Sequence, residues 1–145
     1  MTTAVRRVCA AIVCTDRILM VRHREAARDF WTLPGGHAEA GETLADAARR
    51  EVAEEVRIDG AEVGPALYER RYAAATSGAD VHETCFLVVL PDGAEPALGH
   101  DPELAPDAQV LADVAWFALD EVRHDLQVAR ALPALRPLPG VHYSR

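Results

Sequence analysis

The strongest constraint on the fold of this chain is the break at Pro34-Gly35-Gly36, which separates a strand pattern from the best helical pattern of the sequence. Proline lacks a backbone donor and glycine weakens regular structure, so a loop is expected here. Residues 43–56, just beyond it, are strong helix formers. Their apolar members recur every three or four residues and predict a buried stripe: Ala45, Ala48, Val52 and Val56.

The other segments indicate strands on both sides of this helix. Strand patterns occupy residues 5–14, 17–24, 29–33, 61–75, 81–90 and 110–118. Thr15 and Asp16 form a turn between the first two strands, and residues 93–109 are predicted to be a loop. Strands and helices do not alternate strictly, so the order favours an α+β or mixed α/β/α fold over a doubly wound nucleotide fold.

A second helix is predicted near the C-terminus. Asp120 is a suitable N-cap for a helix from Glu121 to about Leu132. The prolines at positions 133, 137 and 139 are expected to prevent a longer terminal helix. The chain has 145 residues and no recognisable linker, which predicts a single domain over residues 1–145.

Charge and composition narrow the class of partner. The formal net charge is −8, and all 15 basic residues are arginine, so a nucleic-acid duplex is not an expected partner. No apolar run approaches the roughly 20 residues of a membrane span. Cys9, Cys14 and Cys85 are too few for a disulfide framework, and we interpret them as buried thiols of a cytoplasmic protein.

Three glutamates on the predicted helix carry the strongest chemical signal. With about 100° of rotation per residue, Glu51, Glu54 and Glu55 project from one side of the helix, beside the buried stripe. Like charges at this spacing repel one another, so a compensating partner is expected. Hard divalent cations such as Mg²⁺ bind carboxylate oxygens and bridge them to phosphates, which predicts a magnesium site. A merely solvated helix face is the alternative interpretation.

The residues around this cluster fit a longer pattern. The Nudix box is written Gly-x5-Glu-x7-Arg-Glu-U-x-Glu-Glu-x-Gly-U, where U is a bulky aliphatic residue. The sequence agrees at eight of its nine specified positions: Gly36, Glu42, Arg50, Glu51, Val52, Glu54, Glu55 and Ile58. Trp31-x-Leu33-Pro34 and Trp116-Phe117 are similar to the family's flanking segments. The chain thus resembles the Nudix hydrolases.

This resemblance implies a fold and a reaction. The fold is an α/β/α sandwich with a mixed sheet, in which the box forms a loop–helix–loop. The reaction is metal-dependent hydrolysis of a pyrophosphate bond in a nucleoside diphosphate linked to another group. The expected cofactor is Mg²⁺, with Mn²⁺ as the alternative. The expected partner is a small nucleotide, either a nucleoside triphosphate or another nucleotide derivative, and homodimer formation is left open.

The resemblance also implies roles for the box residues. Glu51 and Glu55 are expected to ligate the metal, and Glu54 is expected to ligate it or to act as the catalytic base. The backbone carbonyl of Gly36 would complete the coordination, while Arg50 would orient the glutamates through salt bridges.

Two further box positions are informative. Glu42 is expected either to contact the ligand side chains without touching the metal, or to bind a second, outer metal ion. Arg57 stands where the box has glycine, a residue that would close the helix with a positive φ. Either Gly60 takes over the cap, or Arg57 itself accepts the strained conformation.

An acid outside the box is a further catalytic candidate. Residues 91–121 contain eight acids and no base. Many relatives add a carboxylate from outside the box, and Glu103 is our first choice, ahead of Asp107 and Asp113 and of Glu83, which lies on a predicted strand. A carboxylate on a closing loop could take a proton from the attacking water.

Substrate-binding candidates lie on the predicted strands. Arg22 and Arg24 share one face of a strand and Arg70 interrupts another, so these guanidinium groups could contact phosphates. Trp31 could stack on a base. Solvated arginines and a core tryptophan are the alternatives. For the whole chain, the alternatives to an enzyme are a catalytically inactive nucleotide-binding module and a helix that metal merely stabilises.

Overall fold

The computed structural model describes residues 4–100, 102, 104 and 110–138. Its strands are β1 Val5–Cys14, β2 Arg17–Arg24, β3 Asp29–Thr32, β4 Gly35–His37, β5 Glu62–Ala73, β6 Asp80–Val89 and β7 Leu111–Ala118. Its helices are α1 Leu44–Val56, α2 Leu119–Val122 and α3 Leu126–Leu135. No helix in these ranges is both long enough and apolar enough to cross a membrane.

The strands form one mixed sheet in which β1 is central. The order along the main path is β3-β2-β1-β6-β5, while β4 pairs with β1 and β7 pairs with β2. The end of β1 forms an antiparallel hairpin with β2, and most of its length runs parallel to β6. The start of β1 also pairs antiparallel with β4, so Arg7 lies opposite His37. One strand therefore joins the glycine motif to the rest of the sheet.

The two faces of β1 are covered by different helices. Ala10 and Ile12 pack with Val52 and Val56 of α1 in one buried cluster. Residues of α3, including Leu132, belong to a second cluster with Cys9 and Ala11 of β1. Successive residues of a strand point to opposite faces, so the alternation along β1 produces the two-sided core. The α+β sandwich with a mixed sheet is confirmed.

The glycine motif is more regular than the sequence predicts. Gly35 and Gly36 were expected in a loop, yet they belong to β4 and pair with β1. A Cβ atom on Gly35 would lie 2.2 Å from the carbonyl oxygen of Val8, so only glycine lets the two backbones approach this closely. Glycine usually weakens a strand, but here the missing side chain of Gly35 is what allows β4 to pair with β1.

The C-terminal helix prediction is wrong in its boundaries. Two helices replace the single one, and the second is capped by Asp125, whose Oδ1 accepts from the backbone N–H groups of Gln127 and Val128. Asp120 lies inside α2 instead. Pro133 was expected to end the helix. It instead lies within α3, as the eighth residue of that helix.

Two burial predictions also need correction. In α1 the buried alanines are Ala47 and Ala48, whereas Ala45 is only partly buried. Cys9 and Cys85 are buried thiols as expected, but Cys14 is exposed because it sits at the end of β1 beside the turn.

Candidate active site

The site is built where β4 meets α1. Thr43 caps the helix, its Oγ1 accepting from the backbone N–H of Asp46 at 3.1 Å. At Gly36, an added Cβ would lie 2.5 Å from Glu51 Oε1, so the absent side chain leaves room for the carboxylate. The glycine motif and the helix are therefore shaped to each other.

Glu55 is the buried member of the glutamate group. Only 6% of its surface is exposed, and its Oε1 accepts a hydrogen bond from the backbone N–H of Gly35 at 2.7 Å. A buried carboxylate requires such partners, because an unpaired one would be costly to desolvate. This bond fixes Glu55 relative to β4.

Arg50 lies at the centre of the carboxylates. Its Nε donates to Glu42 Oε2 at 2.8 Å and its NH2 donates to Glu42 Oε1 at 3.0 Å, a bidentate pair. Its NH1 donates to Glu51 Oε1 at 3.1 Å and to Glu54 Oε2 at 3.3 Å. Its NH2 also reaches the carbonyl oxygen of His37 at 3.0 Å. One guanidinium thus supplies the compensation that the clustered glutamates require.

These contacts shift the ionisation of both partners in the bidentate pair. The hydrogen bond from Arg50 holds the pKa of the Glu42 carboxyl below its usual value. The same bond, together with the charges of Glu51 and Glu54, raises the pKa of Arg50. Glu42 therefore stays ionised to a lower pH than an isolated glutamate would, and Arg50 stays charged.

A cleft of about 310 Å³ opens beside this group. It is lined by Arg7, His23, Gly35, Gly36, His37, Glu39, Arg50, Glu51, Glu54, Glu55, Pro102, Val110 and Leu111. The structure thus brings together five residues predicted for the site, and it holds Glu42 next to them through Arg50. Their individual roles stay predictions.

The predicted substrate-binding residues lie elsewhere. Arg22 donates to Asp29 Oδ1 at 2.7 Å, and Arg24 is 3.9 Å from the same carboxylate. Trp31 packs edge-on against Phe117, with ring centroids 4.9 Å apart. None of these is among the cleft-lining residues of the described chain, so their proposed contacts with substrate stay predictions.

The other candidates are also set apart from the cleft lining. The guanidinium of Arg70 lies 4.0 Å from the centre of the Tyr72 ring and does not line the described part of the cleft. Glu103 and Asp107 lie outside the described residues. Asp113 is described, and its Oδ1 accepts from the backbone N–H of Val114 at 2.8 Å.

Arg7 and His23 line the cleft although the sequence analysis did not select them for it. The signal for Arg7 is its register on β1, directly opposite His37 of β4, which requires the strand pairing to be known. His23 Nε2 lies 2.9 Å from Thr32 Oγ1, and its ring stacks on Phe30. Burial lowers the pKa of His23, because desolvation disfavours the charged form of the ring.

The structure shows which residue closes the C-terminal end of α1. Arg57 is the C-cap and adopts a left-handed conformation, with φ 58° and ψ 40°. Gly60 also has a positive φ, but it lies beyond the cap. Arg57 therefore occupies the conformation that the box glycine would take.

The cleft glutamates offer oxygen ligands for a metal ion. In the described part of the chain, no three His, Cys, Asp or Glu side chains already surround a common point. Glu51 and Glu54 instead share the NH1 group of Arg50. Their carboxylate oxygens are nonetheless the ligands that hard divalent cations prefer, and Gly36 leaves space beside Glu51. The chemistry of the residues therefore fits such a cation.

Comparison with known proteins identifies the family. A model described as the NUDIX domain matches residues 4–137, and the chain belongs to the NUDIX family. A Mycobacterium tuberculosis protein named MutT4 is 36% identical over 113 residues, which cover 77% of this chain and 42% of that protein. The NAD-capped RNA hydrolase NudC of Edwardsiella ictaluri is 30% identical over 115 residues, which cover 79% of this chain and 39% of that protein.

The fold is shared with solved structures. A NUDIX hydrolase from Nitrosomonas europaea superposes with a TM-score of 0.72 at 22% identity, covering 93% of this chain and 90% of that one. At this identity the likeness establishes the fold alone. The chain spans less than half the length of the curated relatives cited above. The Nudix resemblance of the sequence is thus confirmed, and both NudC and the Nitrosomonas europaea protein bear the names of hydrolases.

Proposed function

We propose that this chain hydrolyses a pyrophosphate bond in a nucleoside diphosphate linked to another group, and that it requires Mg²⁺ or Mn²⁺. The observation that carries the proposal is the placement of Glu51, Glu54 and Glu55 beside Gly36 along one cleft. Membership of the NUDIX family supports the reaction class. The name of the NudC relative, a hydrolase of NAD-capped RNA, supports a nucleotide-linked substrate.

The cation would be held by the carboxylates of Glu51, Glu54 and Glu55. When bound, it would neutralise charge on the phosphate oxygens and make water a better nucleophile. Arg50 keeps the carboxylates of Glu51 and Glu54 close together before the cation arrives, because its charge offsets their repulsion. Glu42, paired with Arg50 on its other side, holds the guanidinium in position.

Glu54 is the proposed base in this arrangement. Its side chain is 27% exposed, compared with 12% for Glu51, so water reaches its oxygens most readily. Glu55 is buried and committed to the backbone N–H of Gly35. A proton leaving the attacking water would therefore be accepted by a carboxylate oxygen of Glu54.

Arg7 is the proposed contact for substrate phosphate. Arg50 is committed to glutamates, which leaves Arg7 as the other arginine among the described cleft residues. Arg7 Nε is 3.7 Å from Glu83 Oε2, and Glu83 is buried and accepts from the Tyr68 hydroxyl at 2.9 Å. This ion pair would orient the Arg7 guanidinium before substrate binds.

A nucleotide panel tests the proposal directly. Release of phosphate or pyrophosphate is measured with nucleoside triphosphates, dinucleoside polyphosphates and nucleotide sugars, with and without Mg²⁺. We expect release from at least one class and only with the cation. If nucleotides bind by calorimetry but none is cleaved, the chain is an inactive nucleotide-binding module. If it neither binds nor cleaves them, the proposal is wrong.

A further inference from the structure

The C-terminal turn of α1 is held by a distant part of the chain. The last carbonyl groups of a helix have no partner within the helix. Here the backbone N–H groups of His100, Gly99 and Ala97 donate to the carbonyl oxygens of Glu54, Glu55 and Val56, at 3.1, 2.8 and 3.0 Å. Because there are three such bonds, residues 97–100 act as a strap across the end of the helix. We call this segment the 97–100 strap.

Gly99 is the point of closest approach in the strap. A Cβ atom at this position would lie 1.8 Å from the carbonyl oxygen of Glu54 and 2.8 Å from the carbonyl carbon of Glu55. Both neighbours are backbone atoms, so they cannot rotate away as a side chain would. Any residue other than glycine would push the strap off the helix.

Arg57 fastens the strap from the helix side. Its Nε donates to the carbonyl oxygen of Leu98 at 3.1 Å, so the strap is bonded to a side chain as well as to the helix backbone. The residue holds a left-handed conformation that costs any residue with a side chain some strain. A glycine at this position would avoid the strain but could not make the bond to Leu98.

We infer that Arg57 and the 97–100 strap together position the carboxylates of Glu54 and Glu55 for metal binding. The two carbonyl oxygens that the strap holds belong to these same residues. The inference rests on the proposed function, because it concerns the same glutamates. Arg57 does not line the described part of the cleft, so it acts through the helix end and is a positioning residue.

Two substitutions and two matched controls test this inference in the full chain. Arg57→Met removes the donor to Leu98, and Gly99→Ala introduces the backbone clash. Arg49→Met is the control for the first, since Arg49 on α1 likewise donates its Nε to a distant carbonyl, that of Ala61 at 3.2 Å. Gly93→Ala is the control for the second. It lies in the same connection with a positive φ of 76°, and an added Cβ would meet nothing within 4 Å.

The first readout is the rate of hydrogen exchange of the Gly99 and His100 amides. It is measured by NMR in the absence of metal and nucleotide. Exchange should become about tenfold faster or more in Arg57→Met and Gly99→Ala, and it should be unchanged in the controls. The second readout is Mn²⁺ affinity from electron paramagnetic resonance of the free ion. It should fall about tenfold in both test variants and should be restored in part by Arg57→Lys, which can donate to Leu98.

Each result decides the inference. If Mn²⁺ affinity is unchanged in both test variants, or falls equally in the controls, the strap does not position the glutamates. Unchanged amide exchange in Arg57→Met would show that Arg57 does not fasten the strap. If Gly99→Ala does not fold, the two readouts in Arg57→Met decide the inference, because Arg57 is exposed and its replacement leaves the core intact. If the wild-type chain binds Mn²⁺ but cleaves no nucleotide, the proposed function fails, while the strap is still judged by these two readouts.

Discussion

Glu54 is the most exposed of the three α1 glutamates in the cleft and shares Arg50 NH1 with Glu51. Glu54→Gln keeps the shape of the side chain and removes its charge. We expect kcat to fall by about two orders of magnitude or more, with an almost unchanged thermal midpoint. Steady-state kinetics and thermal unfolding measure the two effects, and Glu62→Gln, on an exposed residue of β5, is the control. A near-normal rate in Glu54→Gln would remove Glu54 from the chemistry.

Glu103 is the competing candidate for the base. If it takes the proton, Glu103→Gln should lower kcat about ten- to a thousandfold with little change in KM, because the substrate would still bind. Asp107→Asn and Asp113→Asn should have smaller effects in the same assay. A silent Glu103→Gln together with an inactive Glu54→Gln would assign the base to the helix.

Glu42 makes stability depend on pH in a definite direction. Arg50 lowers the pKa of its carboxyl in the folded state, so between the two pKa values the unfolded chain binds more protons. The contribution of Glu42 is therefore present above its ordinary pKa of about 4.5 and is lost as the pH falls through the lower, folded value. Urea unfolding between about pH 6 and pH 3 should show a steeper loss for wild type than for Glu42→Gln. Equal slopes would contradict the prediction.

Among the secondary-structure elements, the stability of α1 depends on the cap at its N-terminal end. At its start, Thr43 satisfies the backbone N–H of Asp46. Thr43→Ala should lower the free energy of unfolding by about 1 kcal/mol, whereas Thr43→Ser should lower it less. Urea denaturation measures both changes. Thr76→Ala, in the exposed turn between β5 and β6, is the control for a threonine that caps no helix. An equal loss in the control would contradict a capping role.

For the whole molecule, the decisive property is the excess of negative charge. The net charge is −8, and the cleft concentrates carboxylates where an anionic substrate must bind. We therefore expect turnover to require a divalent cation, because otherwise the site would repel its own substrate. Activity should disappear in excess chelator and return when Mg²⁺ or Mn²⁺ is added in excess. Turnover that persists in chelator would contradict this expectation.

The same charge predicts stabilisation by the cation. A ligand that binds only the folded state raises the thermal midpoint with its concentration. Mn²⁺ should therefore raise the midpoint of the wild-type chain without any nucleotide. The shift should be much smaller in the double variant Glu51→Gln with Glu55→Gln. Glu62→Gln should retain the full shift, since Glu62 lies on β5 and does not line the described part of the cleft.

The sequence by itself determined the elements that have strong local signals. Helix α1 follows from helix propensity and apolar spacing, and the family follows from the spacing of the box residues. Grouping Glu51, Glu54 and Glu55 on one side of α1 required only the helical period. These features depend on neighbours a few residues apart along the chain, which a sequence displays directly.

Other features became known only from the tertiary structure, because they depend on how the strands and loops pack together. The pairing of β4 with β1 turns two glycines into strand residues and brings Arg7 to the cleft, while Arg22 pairs with Asp29. The left-handed Arg57 is accommodated at a helix end that residues 97–100 hold in place. The first and last of these outcomes are set by contacts between backbones far apart in sequence, and the Arg22–Asp29 pair depends on the pairing of β2 with β3. Local propensity therefore does not predict them.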